Sequence, residues 1–190
     1  MKEGLIKDTY ELIIKEIQTV ITVCYLLAVG IGMIFNYKKY AEFGINIFDY
    51  GDVFDFLIAP FADLYIILFA AASTLFISIL FYLDYVWLKK WPESYSKMNL
   101  GRDKKKWFKE YRITVIAISF IIYLFLSAGF YGKYTKKKIT NQRDITITMI
   151  DNEIKQGKLI GKTKDIVFLL NDEGVFAIPL TSVVKQIKIK

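Results

Sequence analysis

Three apolar runs, each close to the length of a membrane-crossing helix, constrain this chain more than any other feature. They are Ile17 to Asn36, Phe61 to Leu83 and Ile113 to Gly132. A helix of ~20 residues crosses the ~30 Å hydrocarbon layer of a bilayer. Only Asp63 is charged within the runs, in the first turn of the second, where it can reach the headgroups. Hydrocarbon gives backbone N–H and C=O groups no partner, so an isolated run must satisfy its own, and a helix does so. The spacing predicts a three-helix transmembrane domain over residues 17–132, with spans near 17–36, 61–83 and 113–132. Aromatic residues gather at the span ends: Tyr37 and Tyr40, then Tyr82, Tyr85, Trp87 and Trp91, then Trp107, Phe108 and Tyr111. Such belts sit at headgroup depth.

The chain is 54% hydrophobic yet carries a net charge of +7. One globular body does not combine these values readily, so the two properties must be segregated along the chain. Cys24, the single cysteine, lies in the first run and permits no intramolecular disulfide. It reads as a small hydrophobe. Histidine is absent, which removes histidine bases, histidine metal ligands and the usual near-neutral switch. No nucleophile–base set, metal cluster or cofactor loop is legible. No catalytic, cofactor-binding or metal residue is therefore assigned, no cofactor is expected, and the expectation is a non-enzymatic protein. The leader, residues 1–16, mixes Lys2, Glu3, Lys7, Asp8, Glu11, Lys15 and Glu16, unlike a signal peptide. It is expected to continue the first helix or to lie on the surface as an amphipathic segment.

The first loop, residues 41–60, places Asp49, Asp52 and Asp55 at steps of three, among Phe48, Tyr50, Val53, Phe54, Phe56 and Leu57. This predicts an interfacial amphipathic helix over about 47–58, with the carboxylates along one side. Pro60 then suits the start of the second span. A cation site or pore mouth is the alternative use of three carboxylates, although calcium loops need more oxygens at fixed spacing. Inside the spans, Ala70, Thr74 and Ser78 recur at steps of four, as do Ser119, Tyr123 and Ser127; Ala28 and Gly32 do the same in the first run. Small and hydroxylated stripes let helices approach, so these are candidate packing residues within the bundle or between copies.

The second loop, residues 84–112, alternates basic and aromatic residues. Lys89, Lys90, Trp91, Arg102, Lys104, Lys105, Lys106 and Trp107 are candidate contacts to anionic headgroups. Each nearby basic residue adds about 1 kcal/mol against an anionic surface. Single-stranded nucleic acid suits the same composition, but two adjoining spans make lipid the economical reading. Orientation follows from Lys and Arg near the span ends. Twelve lie in the leader and second loop, against seven in the first loop and just after the third span. A multi-pass cell-membrane protein is expected, with the N-terminus cytoplasmic and the C-terminus outside.

Beyond a basic linker at 133–143, the pattern changes to period-two alternation with β-branched residues, predicting a small all-β domain over 144–190. Strands are expected at 144–150, 158–162, 166–170, 175–178 and 183–189. Asn171 to Gly174 is a hairpin turn, and Leu180 to Ser182 suits one helical turn. From Gly157 to Ile189 the order of strands, hairpin and turn resembles small SH3-like or Sm-like barrels. Gly161-Lys162-Thr163 is not a P-loop, because Gly157 lies one position too near. About fifty residues bury only a small core, so the domain is expected to pack on the helices or to oligomerise. From Lys133 onward, twelve basic residues face six acidic ones.

These features point to a multi-pass module whose β domain docks or senses a partner, of the kind found as accessories in bacterial envelope or defence systems. Anionic lipid and a protein partner or second copy are the expected partners. The alternative is a small oligomeric ion channel, since three spans followed by an Sm-like domain resemble the layout of small-conductance mechanosensitive channels. In that family the third span is a Gly/Ala-rich pore helix and the β domain is cytoplasmic. Here Ile121, Ile122, Leu124, Phe125 and Leu126 make the centre of the third span bulky.

Overall fold

The computed structural model describes the backbone of residues 2–188, and the side chains of residues 16–181 and 183–188. Helix α1 runs Lys2–Ala41, α2 Val53–Ala62, α3 Leu64–Lys90, α4 Pro92–Met98, α5 Phe108–Thr140 and α6 Leu180–Val183. Strands are β1 Ile145–Met149, β2 Ile154–Lys162, β3 Ile166–Asn171, β4 Gly174–Pro179 and β5 Val184–Lys188. Helices over Glu16–Ala41, Leu64–Lys90 and Phe108–Thr140 are long and apolar enough to cross a membrane. They make this a multi-pass membrane chain with three candidate spans. Residues 2–16 of the leader are helical and continuous with the first span, while the side chains of residues 1–15 lie outside the described residues.

Each spanning helix outruns its apolar stretch. The α5 helix continues through Thr140, so most of the expected linker is helix, with Thr135 and Ile139 buried. The helices hold together along a narrow seam. Phe35, Ala59, Ile66, Leu124, Ala128 and Tyr131 form one buried cluster. Tyr131 meets the rings of Phe35 and Phe69 at centroid distances of 5.3 and 6.0 Å. The α3 face in this seam is Ile66, Ser73 and Ile77, one step round from the expected stripe. Of that stripe, Ala70 packs against the cluster, whereas Thr74 and Ser78 are exposed and donate to the carbonyls of Ala70 and Thr74 on their own helix. Ser127 is buried and donates across the seam to the Phe69 carbonyl at 3.3 Å. Ser119 is half-buried, and Tyr123 stacks on Phe76 at 4.4 Å.

The first loop departs from expectation. Asp49, Asp52 and Asp55 do not share a helix face. Asp49 closes a short 3-10 turn, Ile47–Asp49, and α2 begins only after Asp52. Gly51 interrupts the run between them. Pro60 does not open the second span; it is buried in the last turn of α2, and the break falls at Asp63, whose extended backbone separates α2 from α3. Proline has no N–H for the carbonyl four residues back, here that of Phe56. The α1 backbone comes up against that carbonyl at Gly32, where any Cβ would collide with the Phe56 oxygen. Gly132 of α5 also approaches a carbonyl, that of Lys38, whose oxygen lies 2.7 Å from where its Cβ would stand.

The C-terminal strands form one open antiparallel sheet in the order β4-β3-β2-β1-β5. The hairpin falls where the sequence puts it, with Gly174 at φ +133° and the Asn171 side chain accepting from the N–H groups of Glu173 and Gly174. The helical turn α6 also falls where expected. Strand β2 begins four residues earlier than anticipated and is bulged between Leu159 and Gly161. Ile145, Ile147, Met149, Val167, Leu169 and Ile178 make the core of the sheet.

Candidate functional site

Strand β3 is buried on both faces. Val167 and Leu169 turn into the core of the sheet, and Phe168 between them turns the other way. Phe168 joins Tyr40, Ile45, Ile47, Phe56, Ile139 and Ile160 in a cluster that fastens the sheet to α1, α2 and α5. The rings of Tyr40 and Tyr50 meet Phe168 edge-on at 5.2 and 5.3 Å. Gly161 makes room for this joint, because a Cβ there would strike the Tyr40 hydroxyl and lie 3.1 Å from the Lys39 ammonium.

The acidic residues of the first loop build the joint. The Asp55 N–H donates to Asp52 Oδ1, and the Asp52 N–H donates to Asp55 Oδ2, both at 3.0 Å. This reciprocal box satisfies free donors at the start of α2. The second oxygen of Asp55 accepts from the backbone N–H of Lys164, in the β2–β3 turn, at 3.0 Å. Asp49 accepts from the Asn46 amide. The three carboxylates do not converge as a ligand set, and among the described residues no group of three metal-ligating side chains does.

Beside the joint lies a cleft of about 940 Å³. Its polar wall carries Lys39 and Lys138 from the last turns of α1 and α5, Lys162 and Lys164 from the sheet, and Asp63 and Tyr131. Its other lip is apolar, formed by Phe54, Ile58 and Leu64. A smaller recess of about 240 Å³ shares Lys39, Asp63, Tyr65 and Lys138 with it. Asp63 caps α3 by accepting from the Tyr65 N–H at 3.0 Å, and its second oxygen accepts from the Tyr131 hydroxyl at 2.8 Å. Lys39 lies over the Tyr40 ring at 5.1 Å and Lys138 over the Tyr65 ring at 4.8 Å. Among the described residues the ion pairs are Arg112–Asp84, Lys136–Glu42, Lys155–Glu153 and Lys158–Asp144. None involves a lysine of the cleft.

The second loop is at the opposite end of the bundle. Its ends are tied by the Arg112–Asp84 pair, and Tyr95 of α4 is buried between Trp87 and Phe108. Burial, and after it the Asp84 carboxylate, push the Tyr95 phenol above its ordinary range. Lys89, Lys90, Trp91, Arg102, Lys104, Lys105, Lys106 and Trp107 are all exposed around this knot. Sequence reasoning singled out this loop and passed over the cleft. The cleft draws on residues 39, 63, 131, 138, 162 and 164, which no local spacing links. The one local sign was a lysine in the last turn of each helix that ends at the sheet. No protein-family model, curated protein or solved structure matches the chain, so its own geometry carries the functional reading.

Proposed function

We propose that this protein is a non-enzymatic membrane module that holds a small β domain fixed at one end of its helix bundle, as a docking or sensing platform for a protein partner or a second copy. One observation carries this reading: one face of β2 and β3 is seated on the helices through Phe168 and Ile160, while the edge strands β4 and β5 remain largely exposed. Sheet edges offer unpaired backbone groups to an incoming strand. We read the β domain as SH3-like or Sm-like. Its strand order, the long bulged β2 shared by both halves of the sheet, and the helical turn before β5 support that reading. The N-terminus is proposed to be cytoplasmic and the sheet outside, on the count of basic residues.

Photo-crosslinkers placed at Val175 and Lys185 in living cells test the platform. The expected result is one discrete adduct at these positions and none at the buried Leu169. Edges that yield no adduct would refute the reading. Reporter fusions after residue 190 test the orientation.

A second reading, a small oligomeric ion channel, is favoured by the direct passage from α5 into β1 across residues 141–144 alone. Motion of the third span would then reach the β domain without slack. Planar bilayers holding the purified chain distinguish the two, since reproducible unitary currents belong only to the channel.

A further inference from the structure

The cleft beside the joint is two-sided in chemistry, and its two sides match the two ends of one kind of molecule. Its polar wall presents four ammonium groups, from Lys39, Lys138, Lys162 and Lys164. Asp52, Asp55 and Asp63 also line it. Their oxygens accept from backbone N–H groups and the Tyr131 hydroxyl, which fixes them on the wall. The lysines have no such fixed partner: among the described residues no ion pair involves them. A recess whose four lysines outnumber its three carboxylates, with none of those lysines in an ion pair among the described residues, is arranged for an anion brought from outside.

The apolar lip supplies the second half. Phe54, Ile58 and Phe61 recur along one side of α2, opposite the buried Phe56, Ala59 and Pro60. With Leu64 at the start of α3, they are between 57% and 73% exposed. A surface of that kind at the end of three spanning helices lies against acyl chains. In a bilayer spanned by these helices, the lip would continue their lipid-facing surface, with the lysines just beyond it at headgroup depth. A free phosphate would use the lysines and leave the lip without a role.

We propose that this cleft seats the phosphodiester headgroup of an anionic glycerophospholipid, with Lys39 and Lys138 holding it from the helices, Lys162 and Lys164 closing over it from the sheet, and one acyl chain along Phe54 and Ile58. Basic pockets at the ends of spanning helices are suited to such headgroups. The bound lipid would touch α1, α2, α5 and the β2–β3 turn together, and so would brace the joint between bundle and sheet. The site is separate from the exposed basic loop at the other end of the bundle.

The test uses the full chain in phosphatidylcholine nanodiscs, with phosphatidylglycerol titrated in and retained lipid counted by native mass spectrometry. Selective retention of phosphatidylglycerol by the wild type is expected. Lys162 and Lys164 are exposed on the sheet, so K162Q/K164Q should fold; the loss of two cations is expected to weaken retention about 30-fold. K39Q/K138Q should act in the same direction, and K185Q/K188Q, on the exposed edge strand β5 and outside the cleft, should leave retention unchanged. Equal retention in the wild type and K162Q/K164Q would overturn the proposal, as would an equal loss in K185Q/K188Q. Inorganic phosphate supplies the remaining arm. If millimolar phosphate displaces the lipid completely, the site is one for free phosphate and the lipid assignment fails.

Discussion

The hairpin of α3 and α5 has an aspartate near each end, and the chain handles the two differently. At the loop end Asp84 meets the guanidinium of Arg112. At the sheet end, among the described residues, Asp63 accepts hydrogen bonds only from neutral donors, the Tyr65 N–H and the Tyr131 hydroxyl, although Lys39 and Lys138 line the same cleft. Packing is uneven in the same sense. Side chains of α1 from Glu16 to Leu27 are all exposed, whereas Gly32, Phe35 and Tyr40 are buried against α2, α5 and the sheet. The loop end is a two-helix turn whose aspartate is paired and whose remaining basic residues are exposed. The sheet end gathers three helices, α2 and a sheet, and keeps its cations available. Burial and uncommitted charge thus coincide at one end, and a ligand would be felt most by the structure there.

The sharpest way to break this contrast is to cut the joint. Phe168→Ala removes the ring between Tyr40 and Tyr50 and should cost about 3–5 kcal/mol. Hydrogen exchange should rise in β2 and β3 and leave α4 unchanged; equal loosening at both ends would abolish the distinction. A slightly smaller effect is expected from Gly32→Leu, which forces a side chain into the Phe56 carbonyl at a cost of roughly 3 kcal/mol. Gly30→Leu is the matched control, because a Cβ there meets nothing within 4 Å. Thermal unfolding in detergent should separate the pair by several degrees.

Tyr131→Phe leaves one oxygen of Asp63 without its phenol donor and should cost about 1.5–3 kcal/mol. Arg112→Gln at the other end acts on a pair whose carboxylate is more than a third exposed, so solvent screening reduces the expected loss to about 1 kcal/mol or less. Added salt should shrink only the second effect. The smallest expected change, within about 0.5 kcal/mol, is that of Thr74→Ala, an exposed position bonded to its own helix. If Thr74→Ala instead shifts the oligomeric state in detergent, the small-residue stripe serves contacts between copies.

What was legible in the sequence and what was not divides along range. The spans could be read because a bilayer demands about 20 consecutive apolar residues, which is a local property. The strands and the Asn171–Gly174 turn could be read because alternation and hairpin chemistry are local too. Asp49, Asp52 and Asp55 misled because a step of three suits both a helix face and a cap. The D-x-x-D pair Asp52 and Asp55 ahead of Phe56-Leu57-Ile58 was the available sign of a box at a helix start. Lys133 to Lys138 looked like a linker, yet helix propensity and the burial of Thr135 and Ile139 carry α5 through them. The cleft was invisible because Lys39, Lys138 and Lys164 meet only through the fold.

The seating of Phe168 and Ile160 on Tyr40, Ile47 and Phe56 has a consequence for biogenesis. The sheet is made after the three long helices, and its docking face is completed by residues from the first of them and the loop after it. A nascent chain in which one span failed to insert, or inserted backwards, would deliver its strands to the wrong side of the bilayer. Phe168 and Ile160 would then stay bare, exposed to chaperones and proteases. If the three apolar helices cross a bilayer, the C-terminal strands reach a stable seat only when the chain before them has threaded so that Tyr40, Ile47 and Phe56 lie on the strands' own side.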